Sequence, residues 1–201
     1  MRRAYTVSAV HGFRRIAVLL GLATCLLVAV TWPANASRSG TPAPTGLLLT
    51  PAEVPAGFTV ESRVHTVSAA KEAADTGMSL ARFGRVSGAE VSYKNPHSLG
   101  LVDIDISVDV FRTAGGAHAA YNALVEREVP GSGSSFQFKA GNEAFGFNLT
   151  LLGISERTAD WRYGRILIDL LGSYETAGAD SSPFFTAIRR QQARLVRLAP
   201  Q

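Results

Sequence analysis

The chain has 201 residues, one cysteine, and 20 Lys and Arg against 16 Asp and Glu, for a formal charge of +4. The excess is local: Arg2, Arg3, Arg14 and Arg15 precede the first acidic residue, and without them the two signs balance at 16 each. A neutral remainder lacks the electrostatic footprint of a nucleic-acid binder, and a lone cysteine excludes an internal disulfide framework and a cysteine-rich zinc site.

Residues 1–36 read as a secretory signal peptide. The basic flank leads into an apolar run from Ile16 to Trp32, then Pro33 and the small-residue site Ala34-Asn35-Ala36, the order a signal peptidase substrate needs. The run is shorter than the roughly 20 residues of a relaxed membrane span, so cleavage after Ala36 is expected. An uncleaved anchor is the alternative, and the only membrane contact foreseen. Arg14-Arg15 is compatible with twin-arginine export as well as the general route. Cys25 lies mid-run rather than at its end, which argues against a lipidated cysteine. The exported remainder is one domain, and about 150 ordered residues can be held by a core alone.

Residues 37–46 are rich in Ser, Gly, Pro and Thr and read as a flexible lead-in, with a single globular domain over 47–199. Thr50-Pro51-Ala52-Glu53 has capping-box spacing and predicts one helical turn before Pro55. Phe58 to Val60 opens a strand. Ser68 to Phe83 has a helical pattern interrupted by Gly77. Ala89 to Tyr93 alternates as a short strand ended by Asn95-Pro96. Leu101 to Phe111 is the clearest strand, with Ile104, Ile106, Val108 and Val110 on one face and Asp103, Asp105, Ser107 and Asp109 on the other. Thr113 caps a helix over Ala114–Glu128, with Ala117, Tyr121, Leu124 and Val125 inward. Phe136 to Phe138 reads as a strand, Ala140 to Asn142 as a turn, and Ala144–Ile154 and Trp161–Gly172 as two more strands. Ser182-Pro183 opens a last helix with the apolar stripe Phe184, Ile188, Leu195 and Leu198. The expected fold class is α+β, an antiparallel β-sheet with two main helices packed on one face.

No motif carries chemistry. Asp103, Asp105 and Asp109 share a strand face and admit an acid/base or calcium role, but no Asp/Asn/Gly-rich loop accompanies them. A solvated face paired with Lys and Arg is the expectation. His65, His97 and His118 lack metal-ligand spacing, no Gly-x-Ser-x-Gly elbow marks a nucleophile, and neither glycine cluster forms a phosphate loop. No catalytic residue, metal ligand or cofactor is therefore assigned. Arg189, Arg190, Arg194 and Arg197 decorate the last helix, either as dipole-complementing cations or as a phosphate- or membrane-facing patch. Asn148-Leu149-Thr150 matches a glycosylation acceptor inside a predicted strand. Phe136, Phe138, Phe145 and Phe147, with Trp161, are the candidate lining of a pocket for a small apolar ligand, and equally candidates for core.

Five phrases carry a resemblance: Leu48 to Phe58, Phe83 to Gly88, Val108 to Ala117, Gly141-Asn142-Glu143-Ala144 and Arg162 to Ile166. Together they resemble uncharacterised exported proteins and lipoproteins of high-GC Gram-positive bacteria, and more distantly the extracytoplasmic sensor domains of mycobacterial Ser/Thr kinases. The fourth phrase commonly reads Gly-Asp-Glu-Ala in that group, so Asn142 departs from it, and the sensor domains carry disulfides that this chain cannot form. The resemblance implies an α+β envelope domain with a ligand cleft and transfers no catalytic residue. The favoured reading is an exported, non-enzymatic domain that binds a small or lipidic ligand or a cell-envelope protein. A secreted hydrolase with an unrecognised carboxylate site (Asp103, Asp105, Asp109 or Asp169) and a structural protein of the cell surface stay open as alternatives.

Overall fold

The computed structural model describes residues 43–200 apart from 129–132, 152–153 and 177. The expected signal peptide lies outside them. The chain runs through α1 (Pro44–Leu47), β1 (Thr59–Thr66), α2 (Ala69–Thr76), a 3-10 turn (Leu80–Phe83), β2 (Arg85–Lys94), β3 (Leu101–Phe111) and α3 (Ala114–Glu128). It continues with β4 (Ser134–Phe136), β5 (Glu143–Leu151), β6 (Ile154–Tyr163), β7 (Ile166–Tyr174) and α4 (Ser182–Leu198). The strands form one antiparallel sheet in the order β1-β2-β3-β7-β6-β5-β4. Two meanders, β1–β3 and β4–β7, are thus joined side by side along β3 and β7.

The α+β class and the antiparallel sheet with two long helices are as the patterning predicts. Several details differ for identifiable reasons. The expected strands Ala144–Ile154 and Trp161–Gly172 are three strands, because a two-residue hairpin at Gly164-Arg165 pairs Tyr163 with Ile166. Gly164 sits there at φ 58°, the left-handed backbone that such hairpins require. The segment Phe136–Phe138 is strand only as far as Phe136. Thr50 to Glu53 closes without becoming a helix: the Thr50 N–H and hydroxyl both donate to Glu53 Oε2, each at 2.9 Å. One helical turn, α1, lies instead just upstream, with Pro44 and Leu47 buried.

The two long helices take opposite faces of the sheet, where the sequence placed both on one. Alternation decides this. Ile104, Ile106 and Val108 of β3 and Ile166, Ile168 and Leu170 of β7 share one cluster with Phe184, Ile188 and Leu195 of α4. Phe111 and Leu167, of opposite parity on the same strands, share another with Ala117, Ala120 and Tyr121 of α3. An apolar stripe shows that a helix is buried, but only strand parity shows against which face.

The arginines of α4 are committed to the N-terminal segment. Arg194 donates to Gly46 O (2.8 Å) and to Glu53 Oε2 (2.6 Å), and Arg197 to Glu53 Oε1 (3.0 Å). Arg190 donates to the carbonyls of Glu53 and Val54. Beneath them Gln191, fully buried, accepts from Leu49 N–H at 3.1 Å and donates to Leu47 O at 2.8 Å. Its amide substitutes for a strand that residues 47–49 lack, satisfying backbone groups that would otherwise be buried unpaired.

Two outcomes follow. Gln191→Leu keeps the volume but orphans a buried N–H and a buried C=O, and should cost about 2–4 kcal/mol by chemical denaturation. For Glu53, burial alone would raise the carboxyl pKa, but hydrogen bonds from the Thr50 N–H and hydroxyl, from Arg197 and from Arg194 outweigh it and lower the value to about 2. A depressed folded-state pKa stabilises above the ordinary value of 4.5 and is lost as pH falls toward 2. Stability measured across that window should therefore decline in the wild type and decline less in Glu53→Gln.

Candidate functional site

The pairing register sets which side chains meet on the α4 face. One row runs Phe136, Gly146, Ala159 and Leu170 across β4, β5, β6 and β7, the next Ser134, Asn148, Arg157 and Gly172, and the last Thr150, Ser155 and Tyr174. Apolar side chains fill the first row. At Gly172 the Phe184 ring comes so close that a Cβ would lie 2.6 Å from it, so glycine is what lets α4 lie on the sheet there. Beyond that ring the face turns polar and opens into a cleft of about 90 Å³, bounded by β5–β7 and the loop leading to α4 and lined by Asn148, Thr150, Ser155, Arg157, Tyr174 and Thr176 among others.

Two polar atoms in this wall are buried without a hydrogen-bond partner among the described residues: the Tyr174 hydroxyl and the Asn148 Oδ1. Tyr174 is only 3% exposed. Burial raises its pKa, Arg157 acts in the opposite sense, and the result stands at about 12, so the hydroxyl is a neutral donor at any physiological pH. The Arg157 guanidinium lies over the ring, 5.2 Å from its centroid, a cation–π placement. It approaches the hydroxyl without forming a well-shaped hydrogen bond to it. The Asn148 amide nitrogen is anchored on Ser134 O and Oγ at 3.4 and 3.3 Å, which leaves its oxygen aimed elsewhere. Thr150 and Ser155 hydroxyls pair at 3.0 Å. The far rim is tied to the β2–β3 turn by Thr176 Oγ1 donating to Leu99 O at 3.2 Å and by Glu175 N donating to Gly100 O. Buried polar atoms are normally satisfied. Single oxygens of Asp103, Asp160 and Asp169 also lack a hydrogen bond, but those carboxylates have other interactions, whereas the Tyr174 hydroxyl and Asn148 Oδ1 stand together beside a cation in the wall of one cleft.

The aromatic candidates divide. Phe136, Phe138 and Trp161 come together on the α4 face with Phe184 and Phe185, in edge-to-face or tilted contacts with centroids 5.7–6.4 Å apart. Trp161 is fully buried and its indole N–H donates to Gln192 Oε1 at 2.9 Å. Phe145 packs on the opposite face against the α3 cluster, and Phe147, two residues on, shares its parity. Because Phe136 pairs with Gly146, the odd-numbered phenylalanines of β5 point away from it. The sheet separates the set.

The carboxylates lie on the α3 face. Asp109 pairs with Arg85, whose Nη2 also donates to Val67 O, and Asp103 lies 3.8 Å from Lys94. Asp105 and Asp169 have partners as well. His118 Nδ1 lies 2.8 Å from Glu143 and His65 Nε2 lies 2.7 Å from Glu90. Among the described residues, no group of three or more His, Cys, Asp or Glu is placed to hold a metal ion.

Sequence reading missed the cleft. Arg157 and Tyr174 drew no attention because Arg157 sits on β6, a strand too polar to show apolar alternation. Asn148 was considered only as a glycosylation acceptor.

No protein-family model matches the chain, and no curated protein does. A solved structure does. The fold is similar to the extracellular domain of PknH from Mycobacterium tuberculosis. The likeness has a TM-score of 0.55 at 12% identity and covers 76% of this chain and 94% of that one. At that identity it is a likeness of fold, and it agrees with the resemblance to mycobacterial kinase sensor domains at that level.

An unsatisfied buried hydroxyl costs about 1–3 kcal/mol, whereas a satisfied one contributes about 1. Tyr174→Phe should therefore leave stability unchanged or raise it by about 1 kcal/mol in denaturant titrations. A loss of that size would show that the hydroxyl has a partner in solution.

Proposed function

We propose that the chain is an exported, non-enzymatic domain that binds a small ligand in the cleft between β5–β7 and the loop before α4. The observation that carries this reading is the pair of orphaned buried atoms, Tyr174 Oη and Asn148 Oδ1, beside Arg157 in the wall of one cleft. Stability alone gives no reason to keep them, and a ligand that satisfies both does. Export rests on the leader pattern and on the fold likeness to an extracellular domain, and the pairing of Asp109 with Arg85 and of Asp103 with Lys94 sets the carboxylate hydrolase alternative behind. The ligand-binding surface on this reading is the polar cleft rather than the Phe136–Phe138–Trp161 cluster, whose largest member is already buried and hydrogen-bonded.

Native mass spectrometry of the protein recovered from an exporting bacterial host tests it. The expected spectrum shows a discrete added mass that denaturation releases and that is lost from the Arg157→Ala protein. A bare mass from that host, unchanged after incubation with envelope extract, would overturn the reading.

A further inference from the structure

We infer that the cleft's ligand is a small hydroxylated anion, its carboxylate or phosphate group set against Arg157 and the Tyr174 hydroxyl and one of its own hydroxyls donating to Asn148 Oδ1. This rests on the ligand-binding reading above and adds the chemical class.

The donor and acceptor inventory supports it. A guanidinium has donors only, and Tyr174, with its pKa near 12, adds a proton that no acceptor among the described residues takes. Two donors converging from β6 and β7 call for an acceptor, and a charged one makes hydrogen bonds about twice as strong as a neutral one. Among the described residues no carboxylate forms an ion pair with Arg157. Two carboxylates stand at the site, Glu156 within the cleft lining and Asp180 in the loop before α4, and both are engaged. Asp180 accepts from the Ser182 N–H and hydroxyl at 2.9 and 2.7 Å, and Glu156, whose position in β6 is of opposite parity, has a partner of its own. Asn148 Oδ1, on the neighbouring strand, is an acceptor and requires a donor from the ligand. It is neutral, so an ammonium set against it would have no counter-charge of its own, which is costly in a buried site; a hydroxyl has no such requirement. The Thr150–Ser155 hydroxyl pair, able to give or accept, continues the same polar wall.

Size narrows the class. At about 10–15 Å³ for one water in the same measure, the 90 Å³ cleft holds roughly six to nine water-sized positions. That suits a single sugar-acid ring or a short polyol phosphate. It leaves no room to bury an acyl chain, and the aromatic row on its inner side is closed by its own packing.

The test is titration calorimetry with the protein from the exporting host and five probes: D-glucuronate, glycerol 3-phosphate, D-glucose, acetate and L-alanine. We expect one of the first two to bind saturably, separating a carboxylate from a phosphate source, and glucose, acetate and alanine to bind at least about tenfold more weakly. Arg157→Gln should weaken the successful probe by about tenfold or more, and Asn148→Ala should weaken it while leaving acetate unchanged. Thermal unfolding of each unliganded variant checks that it is folded, and Tyr174→Phe, expected to be no less stable than wild type, gives a second test if either of the others is not. Glucose or alanine binding as tightly as the hydroxylated anions, or an affinity indifferent to Arg157→Gln, overturns the inference. So does failure of both hydroxylated anions. An added mass in the native spectrum that survives such a failure keeps the cleft as a ligand site and removes only its proposed chemistry.

Discussion

The pairing of β3 with β7 is the constraint on which the rest depends. Each belongs to an antiparallel meander of strands consecutive in the chain, and among the described residues no other strand pairing joins the two halves. Nine residue pairs from Leu101–Tyr174 to Val110–Ile166 form this seam, between segments more than fifty residues apart in the chain. Without it each meander would present a long apolar edge strand, the form most prone to pairing with other chains. With it, Ile104, Ile106, Val108, Ile168 and Leu170 become a continuous apolar floor for α4. The end of β7 is thereby fixed beside β6, and the cleft follows from that placement. A domain without disulfides relies on this non-local contact, which is paid for in loop-closure entropy before it is rewarded by burial.

How much of this was legible in the sequence depended on whether a segment met one environment or two. β3 announced itself because one face is dry and the other polar, and its observed bounds, Leu101–Phe111, are those its alternation implies. α3 was equally clear, down to Thr113 accepting from Gly116 N–H at its start. β6 was not. Its first half reads Ser155-Glu156-Arg157-Thr158, polar on both faces, because one face lines the cleft and the other the acidic side of the sheet. A binary pattern search discards such a strand, and with it went Arg157. The sharper the departure from ordinary burial, the less the pattern could reveal it.

The arginine stripe of α4 teaches a related lesson. Four cations on one helix face are consistent with a membrane, a phosphate or a structural role, and spacing cannot choose among them. The structure commits three of them to residues 46–54, a partner more than 130 positions away in sequence. That segment has no strand ladder to satisfy its backbone. Gln191 and the guanidinium groups supply the missing hydrogen bonds, and Tyr93 closes the other side by donating to Leu49 O at 2.6 Å. Three of the cations whose role spacing left open are the means by which residues 46–54 are held.

The cleft and the clamp are opposite uses of the same resource, polar groups at the border of an apolar core. In the clamp every buried donor finds its acceptor, and the result is rigidity. In the cleft, on the same face of the sheet, Tyr174 and Asn148 are brought to the border and left open. Position alone does not explain the difference, since the backbone there is regular and the neighbouring row packs Phe136 and Phe184 to close contact. A sequence free to optimise stability alone has simple remedies, such as phenylalanine at 174 or a hydrophobic residue at 148. On the proposed reading, the hydroxyl, amide and guanidinium converging on one small space are complementary to a ligand outside the chain. The ligand class proposed for the cleft follows from what these three groups lack: an acceptor for two donors, and a donor for one acceptor.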